Sequence, residues 1–191
     1  AAPSQPAGAK RKPAIYGKLG YDKQLQDNLR VRLTGSFYST KSSVNNTIFG
    51  GDRTGSNYQF VMDNAPVTVT GNYTSGRFNP GFRDNVTTFV INPFIKFSGL
   101  EVFGTFEFAK GKNQFENGEG TNPARAAIDD RKADQIAAEA LYRFGKNEKF
   151  YFGGRYITVN ATVAEGVTAA NAGIQYDVTI DRLSIGGGWF I

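Results

Sequence analysis

The feature that most constrains this chain is a strict alternation of apolar and polar residues that recurs over most of its length. Residues 29–37 alternate without interruption. The same pattern returns in 87–97, 101–110, 134–144, 149–159, 172–180 and 183–191. A period of two places successive side chains on opposite faces of a β-strand. The pattern therefore predicts an all-β chain whose strands each have one apolar and one polar face.

Two parts of the chain leave the strand count open. Residues 134–144 are rich in Ala and Glu, which favour a helix, but the hairpin-like context around them favours a strand. Residues 58–62 and 67–70 fit either two further strands or a small hairpin inside one long loop. With a first strand before residue 23, the sequence predicts about 8–10 strands.

The connections between these segments fall into two classes. Four are short (23–28, 98–99, 145–148 and 181–182), and three are long and polar (41–57, 111–132 and 160–171). Because the two classes alternate, an up-and-down arrangement places the tight turns at one end and the long loops at the other. That asymmetry is typical of a transmembrane β-barrel, and strands of about 9–12 residues suit a tilted membrane crossing.

The polar face of these strands carries full charges in mid-strand, which a water-filled lumen accommodates. The candidate pore-lining residues are Arg30, Arg32, Lys96, Glu107, Glu139, Arg143, Arg155 and Asp177. Aromatic residues, 14% of the chain, cluster near strand ends, as in the interfacial girdles of membrane barrels. These features predict an antiparallel up-and-down transmembrane β-barrel over residues 14–191, with a soluble β-sandwich as the alternative.

Composition excludes or disfavours several kinds of chemistry. The chain contains no Cys and no His, so disulfides, Cys/His zinc sites and imidazole-based triads are excluded. Glu107 and Glu139 could form a carboxylate pair for acid–base catalysis, but an ion pair with Arg143 or Arg155 fits a lumenal face better. The acidic residues of 116–134 lack the spacing of a calcium loop. We therefore expect no enzyme activity, no cofactor and no metal.

The net charge of +5 comes largely from Lys10, Arg11 and Lys12, which lie in a Pro/Ala-rich stretch. We expect residues 1–13 to be a flexible, solvated tail. We expect no nucleic-acid partner, because no basic stripe follows in the strands. The sequence contains no apolar run of about 18 residues, so no transmembrane helix is predicted.

Several blocks of the sequence resemble a known family. They are KLGYDKQLQDNLRVRLTGSFYST at 18–40, GRFNPGF at 76–82, INPFIKFSGLEVFGTFE at 91–107, YRFGKNEKFYFGGRYITV at 142–159 and DRLSIGGGWFI at 181–191. In this order they resemble porin-like outer-membrane β-barrel proteins of Bacteroidota. The resemblance implies an outer-membrane location and passive diffusion or unassigned transport, and it carries no functional residues across. Because members of that family typically extend further on both sides, we expect this chain to be part of a larger barrel, incomplete at its ends.

The functional prediction is a porin-like barrel in the bacterial outer membrane that contacts lipid and lipopolysaccharide and lets small hydrophilic solutes diffuse through its lumen. Five basic against three acidic candidate residues predict a weak anion preference. If only eight strands close, side chains fill the interior and the barrel is structural. The alternatives are a soluble or surface-exposed β-sandwich that binds glycans or a protein, and a structural barrel subunit of a homo-oligomer or envelope complex.

Overall fold

The computed structural model describes residues 12–41, 46, 48–49, 78, 80–112, 130–164 and 175–190. Within these ranges the chain forms β-strands and a single turn of 3-10 helix at Lys146–Glu148. The strands are β1 Ala14–Gln26, β2 Leu29–Thr40, β3 Asp84–Phe97, β4 Leu100–Lys112, β5 Arg131–Phe144, β6 Phe150–Ala164 and β7 Gln175–Trp189. The helical structure in this part of the chain is too short to span a membrane.

All seven strands belong to one sheet, in the order β1-β2-β3-β4-β5-β6-β7. Every neighbouring pair is antiparallel. The predicted all-β up-and-down architecture is therefore confirmed, and residues 134–144 lie in a strand. β1 and β7 are the edges of this sheet, which is not closed into a barrel in the described part of the chain. No second sheet faces it there, so the described residues do not form a sandwich.

The prediction of a turn at residues 181–182 is wrong. Asp181 pairs with Thr158 and Arg182 pairs with Ile157, so both residues lie in the middle of β7. The physical reason is that a partner on the neighbouring strand holds Asp181 in extended pairing, because the Tyr156 hydroxyl donates a hydrogen bond to its carboxylate at 2.7 Å. Segments 172–180 and 183–191 therefore contribute one strand, not two. The two strands predicted within 57–86, at 58–62 and 67–70, and residues 1–11 of the predicted tail lie outside the described residues.

The connections follow the predicted alternation in length. Residues 27–28, 98–99 and 145–149 join strands at one end of the sheet, called here the short-turn end. The connections between β2 and β3, β4 and β5, and β6 and β7 are longer and meet at the opposite end, the loop end. Two neighbouring turns are also bonded to each other, because Ser98 N donates to Asn28 O at 2.7 Å.

The two faces of the sheet differ in chemistry. One face, the apolar face, carries large side chains that are 37–82% exposed. They include Ile15, Leu19, Leu33, Phe37, Phe89, Ile91, Phe97, Val102, Phe106, Phe108, Ile136, Tyr142, Phe152, Tyr156, Leu183, Ile185 and Trp189. In a water-soluble protein the apolar face of a sheet is normally covered by a second layer, and only the polar face is exposed. This face is therefore suited to contact with an apolar medium or partner.

The buried apolar cluster lies at the loop end, on the face opposite to the apolar face. Phe82 and Val86, which are 1% and 0% exposed, pack there with Ala109, Ala133 and Ala161. The small alanines leave room on the sheet for the Phe82 ring. Phe82 precedes β3, so the cluster fixes the end of the β2–β3 connection against the sheet.

Candidate functional site

Seven of the eight predicted pore-lining residues share one face of the sheet, opposite to the apolar face. This charged face is defined by Arg30, Arg32, Lys96, Glu101, Glu107, Glu139, Arg143 and Arg155. The pairing register establishes it, because Arg30 pairs with Lys96 and Glu139 pairs with Arg155. Side chains of directly paired residues point to the same side of a sheet. The predicted set is thus brought together across β2 to β6.

Asp177 does not belong to this set. It pairs with Thr162, and the continuous register of β6 and β7 places it on the same side as Leu183 and Ile185, on the apolar face. Its carboxylate accepts a hydrogen bond from the Thr162 hydroxyl at 2.7 Å. The sequence-based placement was wrong because it treated 172–180 as a separate strand, whose faces could not be related to those of 183–191. One continuous strand fixes the relation.

The strongest charge cluster lies on the charged face near the short-turn end and centres on Glu101. Its Oε1 lies 3.1 Å from Lys96 Nζ and 3.2 Å from Arg143 Nε. Lys96 also lies 3.8 Å from a carboxylate oxygen of Glu148, in the β5–β6 turn. Lys96, Glu101 and Arg143 are only partly exposed, so the pairs between them are screened less than surface ion pairs. Glu101 therefore neutralises two of the predicted lumenal cations.

A second pair fixes the edge of the charged face. Arg30 donates two hydrogen bonds to the Asp22 carboxylate, from Nε at 2.8 Å and from Nη2 at 2.6 Å. Such bidentate geometry orients the guanidinium group as well as neutralising it. Asp22, Glu101 and Glu148 were not among the residues predicted for this face. For Glu101 the signal was present, since it has the same parity along β4 as Glu107.

The two predicted carboxylates, Glu107 and Glu139, have different surroundings. Glu139 faces Arg155, with 3.9 Å between Oε2 and Nη1, as predicted for a lumenal ion pair. Glu107 has Val90 and Gln135 as direct neighbours and makes no ion pair within the described residues. Glu139 pairs with Phe103, four positions from Glu107 along β4, or about 13 Å at ~3.3 Å per residue. That separation does not bring the two carboxylates together as a pair.

Two guanidinium groups of the charged face lie over aromatic rings. The Arg32 guanidinium carbon is 4.9 Å from the centre of the Phe94 ring, and that of Arg143 is 5.4 Å from the centre of the Phe190 ring. Cation–π contacts of this kind hold a cation in place without neutralising it. Arg32 therefore keeps its full positive charge toward the space above the sheet.

The balance of charge on this face is positive. Without Asp177, the predicted set contains five basic and two acidic residues. The register adds Lys18, which pairs with Ser36, and Arg182, which pairs with Ile157, to the basic side. Asp22 and Glu101 are the corresponding additions to the acidic side. Basic side chains thus outnumber acidic ones in the described part of this face.

Comparisons with known proteins add no assignment to this geometry. No protein-family model matches the chain, and no match was found among curated proteins or among solved structures.

Proposed function

We propose that this sheet forms part of the wall of a β-barrel in the bacterial outer membrane, and that small hydrophilic solutes diffuse along its charged face with a weak preference for anions. The apolar face would contact lipid, and the loop end would meet lipopolysaccharide. The observation that carries the proposal is the diagonal course of the apolar face across the seven strands, described below. The resemblance of five sequence blocks to porin-like proteins of Bacteroidota supports the same function.

The apolar face has a clear boundary toward the loop end, where large apolar side chains give way to polar ones. Along the centre of the sheet this boundary is straight, because Phe37 pairs with Phe89 and Phe89 pairs with Phe108. The rings of Phe37 and Phe89 lie 6.4 Å apart, centre to centre. Aromatic rows at this position are typical of the membrane–water interface.

On either side of the centre the boundary moves in steps of two residues. The last apolar residue of β1, Ile15, pairs with Ser39, two residues beyond Phe37. In β5 the partner of Phe108 is the polar residue Asp134, and the last apolar residue of that strand is Ile136, two residues closer to the short-turn end. In β6 the partner of Ile136 is the polar residue Thr158, and the last apolar residue of that strand is Tyr156, again two residues closer to the short-turn end. All three steps shift the boundary toward the short-turn end from β1 to β7.

Three two-residue steps over the six strand pairings average one residue per strand. With ~3.3 Å per residue along a strand and ~4.8 Å between strands, this slope corresponds to a strand tilt of about 35°. Closed barrels require strands tilted by roughly 35–45° and a matching stagger. A band that stays level in a membrane must cross tilted strands in this way. The apolar face therefore has the slope that a membrane barrel needs, which strand alternation alone does not provide.

The dimensions of the band also fit. From Phe89 to Phe97 the apolar face of β3 covers about 26 Å along the strand at ~3.3 Å per residue, which is a height of about 22 Å for a strand tilted by about 35°. At the short-turn end, aromatic rings form a second row, in which Phe144 lies 6.1 Å from Tyr142 and 5.7 Å from Phe150. Two aromatic rows that flank an apolar band of about 22 Å are close to the girdles and the band of roughly 25 Å in outer-membrane barrels.

Asp181 lies on the apolar side but just past the boundary. It lies two residues closer to the loop end than Leu183, which is the last apolar residue of β7 on that side. Its carboxylate accepts a hydrogen bond from the Tyr156 hydroxyl at 2.7 Å. Tyr with its ring toward lipid and its hydroxyl toward a polar group is the usual interfacial arrangement.

The proposed mechanism is diffusion past a surface that carries fixed charges of both signs. Ion pairs such as Glu139–Arg155 keep the surface polar without trapping ions. Arg32 lies over the Phe94 ring and forms no salt bridge within the described residues, so it adds positive charge to this face beside Asp22, its partner across β1 and β2. Rings of basic side chains favour anions in pores. The expected selectivity is weak because most cations of this face have acidic neighbours.

Reversal potentials across planar bilayers under a KCl gradient test the selectivity. We expect a weak anion preference for the unmodified protein and a shift toward cations for Arg32→Glu. The matched control is Lys132→Glu. It makes the same change of charge, but Lys132 lies on β5 on the same side of the sheet as the apolar face. A clear cation preference of the unmodified protein would overturn the anion prediction. Recovery of a monomer in buffer without detergent would overturn the membrane barrel itself.

A further inference from the structure

A cavity of about 450 Å³ lies at the loop end, between the charged face and residues of the β2–β3 connection. The sheet provides its floor, with Thr88, Val90, Glu107 and Gln135. Residues Ile48, Phe49, Phe78 and Pro80 cover it from the other side. Its volume lies within the range of about 300–1,000 Å³ usual for small-molecule sites.

The cover of the cavity is attached to the sheet by buried polar contacts. Arg131, which is 2% exposed, donates a hydrogen bond from Nη1 to the carbonyl oxygen of Pro80 at 2.9 Å. Its guanidinium carbon lies 5.7 Å from the centre of the Phe82 ring, and Phe82 meets the Phe49 ring edge to face at 5.4 Å. On the opposite side, Asn46 Nδ2 donates to the Tyr38 hydroxyl at 2.6 Å. The cavity is therefore a built feature of the fold.

The carboxylate in the floor of the cavity has no charged partner among the described residues. Glu107 has only uncharged neighbours on the adjoining strands, Val90 and Gln135, and makes no ion pair within the described residues. Thr88 is 6% exposed and lies near the Glu107 carboxylate, yet its hydroxyl completes no hydrogen bond of regular geometry there. A partly buried carboxylate without a cation is costly unless a partner is supplied. The floor thus lacks a positively charged hydrogen-bond donor.

The remaining lining gives the chemical class of that donor. Tyr38, Phe49 and Phe78 contribute aromatic rings, and neither Lys nor Arg is among the described residues that line the cavity. Aromatic rings together with a carboxylate recognise ammonium groups through cation–π attraction and charge-assisted hydrogen bonds. We propose that this cavity binds a small organic amine that has an apolar body and a protonated amino group, with Glu107 as its counter-ion. The site goes beyond solute diffusion and does not depend on barrel closure.

The test uses three probes that share a phenylethyl body and differ in charge. They are 2-phenylethylamine, 2-phenylethanol and 3-phenylpropionate, each titrated into the full chain folded in detergent and followed by calorimetry and saturation-transfer NMR. We expect the amine to bind at least about tenfold more tightly than the alcohol, and the carboxylate more weakly still. Equal binding of the three probes, or no binding of the amine, would overturn the proposal without any variant.

Variants locate the site. Glu107→Gln removes the charge with little change in shape, and we expect it to weaken amine binding at least about tenfold while leaving binding of the alcohol within about twofold. The control is Asp177→Asn, the same chemical change at the loop end but on the apolar face. Retention of amine affinity by Glu107→Gln contradicts the assignment. Amine binding is measured in detergent and ion selectivity is measured in bilayers. A negative result in the binding experiment is therefore distinguishable from a negative result in the reversal-potential experiment.

Discussion

Glu101 shows how the role of a single residue depends on its neighbours across the sheet. It lies near the start of β4, at the first residue of the strand predicted over 101–110. Only the pairing of Lys96 with Glu101, and of Leu141 with Glu101, places it between two cations. One carboxylate thereby orders charges from three strands.

We predict that Glu101→Gln destabilises the fold by about 1–2 kcal/mol, because Lys96 and Arg143 both lose a charged hydrogen-bond partner. The same variant should increase the anion preference in bilayers. Urea unfolding midpoints in detergent measure the first effect. Glu148→Gln is the control, since that carboxylate is 48% exposed and has a single 3.8 Å contact, and we expect a change below about 0.5 kcal/mol. Equal effects of the two variants would contradict this account.

At the scale of whole elements, β7 shows which features the sequence predicts and which it does not. Alternation predicted the strands and their polar faces, because the period of two belongs to each strand by itself. It did not relate the faces of 172–180 and 183–191, and so Asp177 was placed on the wrong side. The register between strands depends on pairing, which a single strand does not encode.

The cavity is a second feature that the alternation of apolar and polar residues does not predict. Arg131 and Phe82 are 49 positions apart in the chain, and their contact depends on how the connection folds back onto the sheet. No periodic pattern covers residues 78–83, so alternation does not predict aromatic rings above Glu107. The candidate charged face was therefore largely predictable, whereas the candidate amine site was not.

We predict that Phe82→Ala destabilises the protein by about 3 kcal/mol, because it empties the centre of the buried cluster and removes the contacts with Phe49 and Arg131. Phe89→Ala is the matched control, since Phe89 is 53% exposed on the apolar face. We expect that change to cost below about 1 kcal/mol in detergent. Urea titration of both variants measures the difference. A similar loss in both would show that the cluster does not anchor the connection.

For the molecule as a whole, the apolar and charged faces predict two different environments for neighbouring residues. The chain has no Cys, so single-cysteine variants give an unambiguous signal. Ala138 lies on the apolar face of β5, and Thr105 lies on the charged face of β4 beside Ala137. In a membrane barrel these positions would face lipid and water, respectively.

We predict that Ala138→Cys in native membranes reacts with a lipid-soluble maleimide and resists a charged, water-soluble one. Thr105→Cys should react with both reagents, with at least about a tenfold higher rate toward the charged reagent than Ala138→Cys. Mass spectrometry of the labelled chain measures each rate. If Ala138→Cys reacts quickly with the charged reagent, the apolar face does not contact lipid.

The direction of the edge strands has a consequence for assembly. In an antiparallel succession of seven strands, β1 and β7 run the same way. Joining these two edges directly would create a parallel seam, and so would joining β7 of one copy to β1 of another copy rotated about the pore axis. Bacterial single-chain outer-membrane barrels are antiparallel throughout and have an even number of strands. A seamless barrel that includes this sheet therefore needs an odd number of strands between β7 and β1, whichever segment supplies them.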